Sequence, residues 1–169
     1  MTLNNMNKIN ICGKDVELDA TEFGIYFNQL TSIPAEIGKL EKLEILHLYH
    51  NQLTSIPKEI GQLKKLERFF LINNQLTSLP SEIGQLEKLK SLDLSVNKLT
   101  RLPPEIEKLE NLNYLDLRYN QLTSLPPEIG QLKKLKVLYL INNQIPQIEI
   151  EKLKELLPNC KIYSDYDDN

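Results

Sequence analysis

Apolar residues recur along most of this chain in two rhythms, and the stretch from Leu112 to Lys134 shows both within one period of 23 residues. Leu115-Asp116-Leu117 alternates apolar and polar, which sets Leu115 and Leu117 on one face of a short strand and Asp116 on the other. Ile129, Leu132 and Leu135 then follow at intervals of three, the spacing of a short helical turn with one apolar side. Steps of 23 back from Leu112 reach Leu89, Leu66, Leu43 and Ala20, and one step forward reaches Leu135. The pattern therefore occurs in six consecutive copies.

The strand triplet returns as Phe23-Gly24-Ile25, Leu46-His47-Leu48, Phe69-Phe70-Leu71, Leu92-Asp93-Leu94 and Leu138-Tyr139-Leu140. Copies in register predict strands stacked side by side as a parallel sheet, about 4.8 Å apart. Alternation predicts that one face of that sheet is open, because strands covered on both faces read as continuous apolar runs. Three residues after each strand stands Asn28, Asn51, Asn74, Asn97, Asn120 or Asn143. An amide both donates and accepts, so a ladder of these side chains would satisfy turn groups that are otherwise buried and unpaired. Leu122 and Leu125 are expected to point inward, Pro126 to stiffen the outer corner, and Gly38, Gly61, Gly84 and Gly130 to keep the helical turn short.

Together these positions spell L-x-x-L-x-L-x-x-N-x-L followed by T-x-L-P-x-E-I-G-x-L. On that pattern residues 20 to 145 resemble the leucine-rich repeat family, in its bacterial 23-residue subfamily. The resemblance implies an α/β horseshoe solenoid with a concave parallel sheet that binds another protein and short helical turns on the convex side. In a pathogen that partner would extend to a host protein. Departures are few: Ala20 replaces the first leucine, Glu107 replaces a glycine, and Ile145-Pro146 ends the pattern early.

The flanks read as caps, which a solenoid needs because its leucine column would otherwise end in water. Residues 1 to about 7 are asparagine-rich and read as loose. Ile9–Ile11 and Val16–Leu18 around Cys12 to Asp15 predict a hairpin, so residues 1–19 form the first cap. Residues 146–169 form the second. There Ile148 to Leu157 predicts a helix with Ile150, Leu153, Leu156 and Leu157 on one side, stopped at Pro158. Cys160 to Tyr163 reads as a last strand, and the acidic tail from Ser164 as a deterrent to edge pairing. The whole is one structural domain.

Composition narrows the function. A net charge of −3 lacks the concentrated basic surface that phosphate neutralisation requires, so nucleic acid is not the expected partner. Lys64, Lys65, Lys133 and Lys134 fall on the outer face among glutamates and read as solvated surface. Cys12 and Cys160 lie at opposite ends of a stack about 30 Å long, too far to bridge within one chain. No Asn-x-Ser/Thr sequon, signal-peptide core or membrane-spanning run is present, so membrane insertion is not expected and the compartment stays unread. No cofactor fingerprint occurs.

Repetition separates scaffold from site. Residues that recur in every copy answer a need of the coil; exposed positions that vary are available to a partner. Glu36, Glu59, Glu82, Glu105 and Glu128 recur and read as structural. Four sheet columns vary, and they hold five of the seven tyrosines, both histidines, Phe27 and Phe70. From them we take Tyr26, Phe27, His47, Tyr49, His50, Arg68, Phe70, Ile72, Asp93, Tyr114, Asp116, Arg118, Tyr119 and Tyr139 as the candidate partner-binding residues. Large aromatic and arginine side chains dominate interface energetics. The structural alternative is that the rings merely tile the open sheet through cross-strand contacts.

Other readings of the same residues are weaker. Asp93 and Asp116 fall side by side, a pairing that would favour a cation, a basic partner side chain or Arg118. A hydrolase using that pair would need an enclosed cleft that an open sheet does not supply. His47 and His50 are thin candidates for a metal, lacking a third ligand at matched spacing. Self-association through strand edges or the aromatic face is the structural rival to partner binding; a monomer is the favoured state.

Overall fold

A computed structural model describes residues 7–167. The loose start expected for residues 1 to about 7 lies outside that range except for Asn7. A two-stranded antiparallel hairpin, β1 (Lys8–Ile11) and β2 (Lys14–Glu17), precedes a seven-stranded parallel sheet. Its strands are β3 (Glu22–Gly24), β4 (Ile45–His47), β5 (Arg68–Phe70), β6 (Ser91–Asp93), β7 (Tyr114–Asp116), β8 (Val137–Tyr139) and β9 (Lys161–Tyr163), in sequence order with no crossover. Register is strict: Leu46, Phe69, Leu92, Leu115 and Leu138 follow one another across the sheet. These central residues are fully buried. The flanking strand positions face the other way and are mostly exposed or half-buried, which gives the open face that the alternation predicts.

Return segments on the opposite side each carry a five-residue 3-10 helix, at Ala35–Lys39, Lys58–Gln62, Ser81–Gln85, Pro104–Lys108 and Pro127–Gln131. A proline precedes each one in extended geometry and sets its entry. The recurrent Glu36, Glu59, Glu82, Glu105 and Glu128 all lie in the first turn. The glycines there have a different purpose from the one expected. A Cβ on Gly38 or Gly61 would lie 2.9 Å from the carbonyl oxygen of Glu59 or Glu82 in the next coil, and one on Gly84 would lie 2.5 Å from that of Glu105. Glycine lets neighbouring coils approach; it does not shorten the turn.

The asparagine ladder is present and its bonds are regular. Asn97 donates from Nδ2 to the carbonyl of Leu71 in the preceding coil and of Leu94 in its own, both at 3.0 Å, while its Oδ1 accepts from the Leu76 N–H at 3.0 Å. Asn51, Asn74, Asn120 and Asn143 repeat the arrangement. Asn28 has no preceding coil of this kind and is exposed, donating only to Tyr26 O at 3.3 Å.

Just before each ladder asparagine the backbone turns through the left-handed region, with φ of 53–57° at Phe27, His50, Asn73, Val96, Tyr119 and Asn142. Asparagine tolerates that conformation, whereas a β-branched residue is an outlier there. Val96 is exposed at 42%, so little packing opposes its replacement. Val96→Asn is expected to stabilise the fold by about 1 kcal/mol, raising Tm by roughly 2–4 °C; an unchanged or lower Tm by circular dichroism would refute the strain.

Both caps form, with corrections in detail. The hairpin turn is two residues, Cys12 (φ 51°) and Gly13 (φ 84°), not the four from Cys12 to Asp15, and this pair of positive φ values matches the twist of the flanking strands. Both cysteines are free. The carboxyl-terminal helix α1 spans Gln147–Leu156; Ile150, Leu153 and Leu157 are buried, but Leu156 is 44% exposed, against the expectation that it faces the core. Strand β9 starts at Lys161, with Cys160 half-buried just before it. Within the acidic tail, two carboxylates make local bonds. Asp165 accepts the Asn142 N–H at 2.9 Å, and Asp167 accepts from Ser164 N at 2.6 Å and from Lys154 Nζ at 2.7 Å. The carboxylates of Asp165 and Asp167 each cap a backbone N–H. Partial burial pulls the Asp167 pKa upward, but the bonds from Lys154 and Ser164 outweigh it and hold the group below the usual aspartate value.

Candidate interaction surface

Strict register places the variable positions of successive coils one above another, so each column becomes a row of side chains at the strand spacing. That spacing also suits stacked rings. At the amino-terminal half, Tyr26 stacks on Tyr49 at 4.8 Å, Phe27 on His50 at 4.5 Å and His47 on Phe70 at 5.0 Å, with interplanar angles of 8–11°. Edge contacts from Tyr49 to Phe27, His47 and His50 join the three stacks into one cluster. At the other end Tyr139 stacks on Tyr163 at 4.8 Å and meets Tyr114 at 5.8 Å.

Between the clusters lies the coil of β6, whose concave residues are Ser91, Asp93, Ser95 and Val96. Asp93 and Asp116 are register partners, as expected. Asp116, however, is fully buried, against its assignment to an accessible face. The Arg118 guanidinium covers it: Nε lies 3.0 Å from each carboxylate oxygen and Nη2 2.5 Å from Oδ2, while the Arg118 N–H and the Tyr114 hydroxyl add further bonds. Arg118 in turn lies over the Tyr139 ring, 4.7 Å from its centroid. Burial, helped by the two carboxylates, pushes the Tyr114 pKa up to about 12, so its hydroxyl stays a neutral donor. With both oxygens of Asp116 bonded and shielded, the pair lacks the two substrate-facing carboxylates that glycoside hydrolysis uses.

The other candidates divide by surroundings. Arg68 is exposed and makes no ion pair among the described residues. Ile72 is half-buried beside the first cluster. His47 bonds Glu22 through Nε2 at 3.1 Å and leaves Nδ1 buried without a partner, whereas His50 Nδ1 is bonded to the Asn73 amide at 2.7 Å. The two histidines belong to different stacks, and among the described residues no three His, Cys, Asp or Glu side chains are grouped to share a metal ion. Phe27 and Tyr119 protrude most, exposed at 71% and 55%. Sequence reasoning missed Tyr163, which extends the Tyr139 column by one strand. The alternation of Lys161-Ile162-Tyr163 held that signal, but the step from Tyr139 to Tyr163 is 24 residues rather than 23, so a fixed count passes over it.

Comparison with known proteins agrees with this geometry. Residues 23–98 and 81–164 match the family described as leucine-rich repeat region. The chain is a leucine-rich repeat protein. Among solved structures, this leucine-rich repeat protein is similar to one of Leptospira interrogans, with 48% identity and a TM-score of 0.84 over 86% of this chain and 37% of that one. An internalin of Listeria monocytogenes shares 26% identity with a TM-score of 0.70, over 87% of this chain and 41% of its own. The ectodomain of an Arabidopsis thaliana membrane receptor kinase, solved in complex with Casparian strip integrity factor 2, shares 38% identity with a TM-score of 0.65, over 81% of this chain and 17% of its own. The chain thus spans less than half the length of each. A search among curated proteins gave no match. Among the described residues, no helix is long and apolar enough to cross a membrane.

Proposed function

We infer that this leucine-rich repeat protein is a non-enzymatic protein-binding module that engages a polypeptide across its aromatic concave face. The observation that carries the reading is Tyr119. It is 55% exposed, has no aromatic partner among the described residues, and occupies a left-handed backbone position at φ 54° that asparagine fills in the coils of Asn73 and Asn142. Tiling of the sheet explains the stacked rings; it does not explain Tyr119. An exposed ring on left-handed backbone, with no stacking partner, is accounted for by contact with something else. Phe27 shares the left-handed backbone at φ 53° and is 71% exposed, although its ring also stacks on His50. The plant relative was solved in complex with another factor, which is consistent with the same use of the fold. If the source is a pathogenic bacterium, a host protein is the natural partner to test.

Tyr119→Asn separates the two explanations because they predict opposite signs. Under the binding reading, the variant melts at or above the wild-type Tm, by up to about 1 kcal/mol of relieved strain, yet loses partner contact. To detect that contact, a photo-crosslinking phenylalanine analogue in place of Tyr119 is compared with one in place of Lys58 on the convex face, in extracts containing the natural partner. One discrete adduct from the concave position alone supports the reading. Equal labelling from both positions, together with a lowered Tm for Tyr119→Asn, would return the ring to a structural role.

A further inference from the structure

The coil of β6 differs from its neighbours in having no aromatic residue on the concave face. Ser91, Asp93, Ser95 and Val96 make a step of small side chains one coil wide, with Phe70 on the coil before and Tyr114 on the coil after. At its floor Asp93 receives two bonds on one oxygen, Oδ1, from the Ser95 N–H at 3.0 Å and the Ser95 hydroxyl at 2.7 Å. Among the described residues no donor reaches Oδ2. The neighbouring Asp116 has taken the nearby cation, since Arg118 bonds both of its oxygens. Two carboxylates therefore share one guanidinium, and the surplus negative charge rests on Asp93. Burial, then the Asp116 charge, pushes the Asp93 pKa up against the pull of Ser95 and Arg118, as expected of a carboxylate short of a partner.

We propose that this step is a socket for one basic side chain, arginine or lysine, carried by an extended segment of the polypeptide partner. The cation sits on Asp93 Oδ2 and the aliphatic stem lies between Phe70 and Tyr114. The inference rests on the concave face being the protein-binding surface and adds the chemistry of its central contact. Three features favour a basic residue over an apolar or acidic one. A net negative charge at a partly desolvated position favours a cation, flanking aromatic faces favour it further, and small side chains leave room for a long stem.

The test is selection of a random peptide library displayed on phage against the immobilised full chain, run in parallel against Asp93→Asn, Tyr119→Asn and Phe70→Ala. Asn keeps the oxygen that Ser95 bonds and removes a charge the fold disfavours, so Asp93→Asn is expected to melt no lower than wild type. The supporting result is enrichment of arginine or lysine at one position between apolar residues on the wild type, loss of that preference on Asp93→Asn, and binding of a selected peptide weakened at least roughly 30-fold by the same change. Peptides that depend on Tyr119 or Phe70 but show no basic preference, or bind Asp93→Asn equally well, would overturn the socket and leave the binding face standing. Enrichment on none of the four proteins, or peptides indifferent to all three substitutions, would overturn both.

Discussion

Asn97→Ala is expected to destabilise the protein by about 3 kcal/mol, because one buried N–H is orphaned at about 1–3 kcal/mol and two carbonyls each lose one of their two bonds at about 0.5–1.5 kcal/mol. The N–H is that of Leu76, and the carbonyls are those of Leu71 and Leu94, which keep their bonds from Asn74 and Asn120. Thermal melting should show a fall in Tm of roughly 6–12 °C for a domain of this size. Asn28→Ala supplies the contrast. That amide makes one 3.3 Å bond to a neighbour's carbonyl and is exposed, so its loss should change stability by less than about 0.5 kcal/mol. Equal losses at the two positions would mean that the ladder contributes nothing beyond local turn propensity.

The second large effect concerns the distance between coils. A methyl group at Gly84 would lie 2.5 Å from the Glu105 carbonyl oxygen and 3.0 Å from its Cβ, contacts that force the two coils apart. Overpacking of this kind costs about 1–3 kcal/mol. At Gly130 the nearest atoms belong to the Leu156 side chain at 3.4 Å, ordinary contact distance. Gly130→Ala should be neutral or stabilising by up to about 1 kcal/mol, through the lower entropy of the unfolded chain. Glu107 fills the corresponding place in the coil between them, half-buried, so a Cβ is compatible with the fold where the next coil makes room. If denaturant titration gave Gly84→Ala and Gly130→Ala the same midpoint, close stacking would not be the reason for these glycines.

Much of this architecture was readable before any coordinates, because a period of 23 makes each copy a check on the others. Strand triplets and ladder asparagines follow from positions that recur, and both caps from the apolar pattern of the flanks. Those that failed depended on neighbours that no single period contains. Asp116 looks exposed by alternation, yet Arg118, two residues on, folds back over it together with Tyr114. Leu156 has helical spacing for the core, but it faces Gly130 across a surface that leaves it 44% exposed. The concave columns were traced correctly over six coils and stopped one short, because α1 adds a residue before β9. The left-handed column was read as free to vary, although its backbone sets a preference that Val96, Tyr119 and Phe27 all violate. That conformation leaves no mark in composition.

The amide rungs also have a direction. Each asparagine reaches back to the coil before it, so a coil is closed only when its successor arrives, and in a chain emerging from its amino end every turn is latched by the one that follows. Allowing for the added residue, Asp167 falls at the seventh rung, and a carboxylate there can accept from Ser164 but has nothing to offer the carbonyls behind it. The relay of donors halts at that point. Lengthening this solenoid beyond Asp167 would call for an amide there as well as another period of leucines.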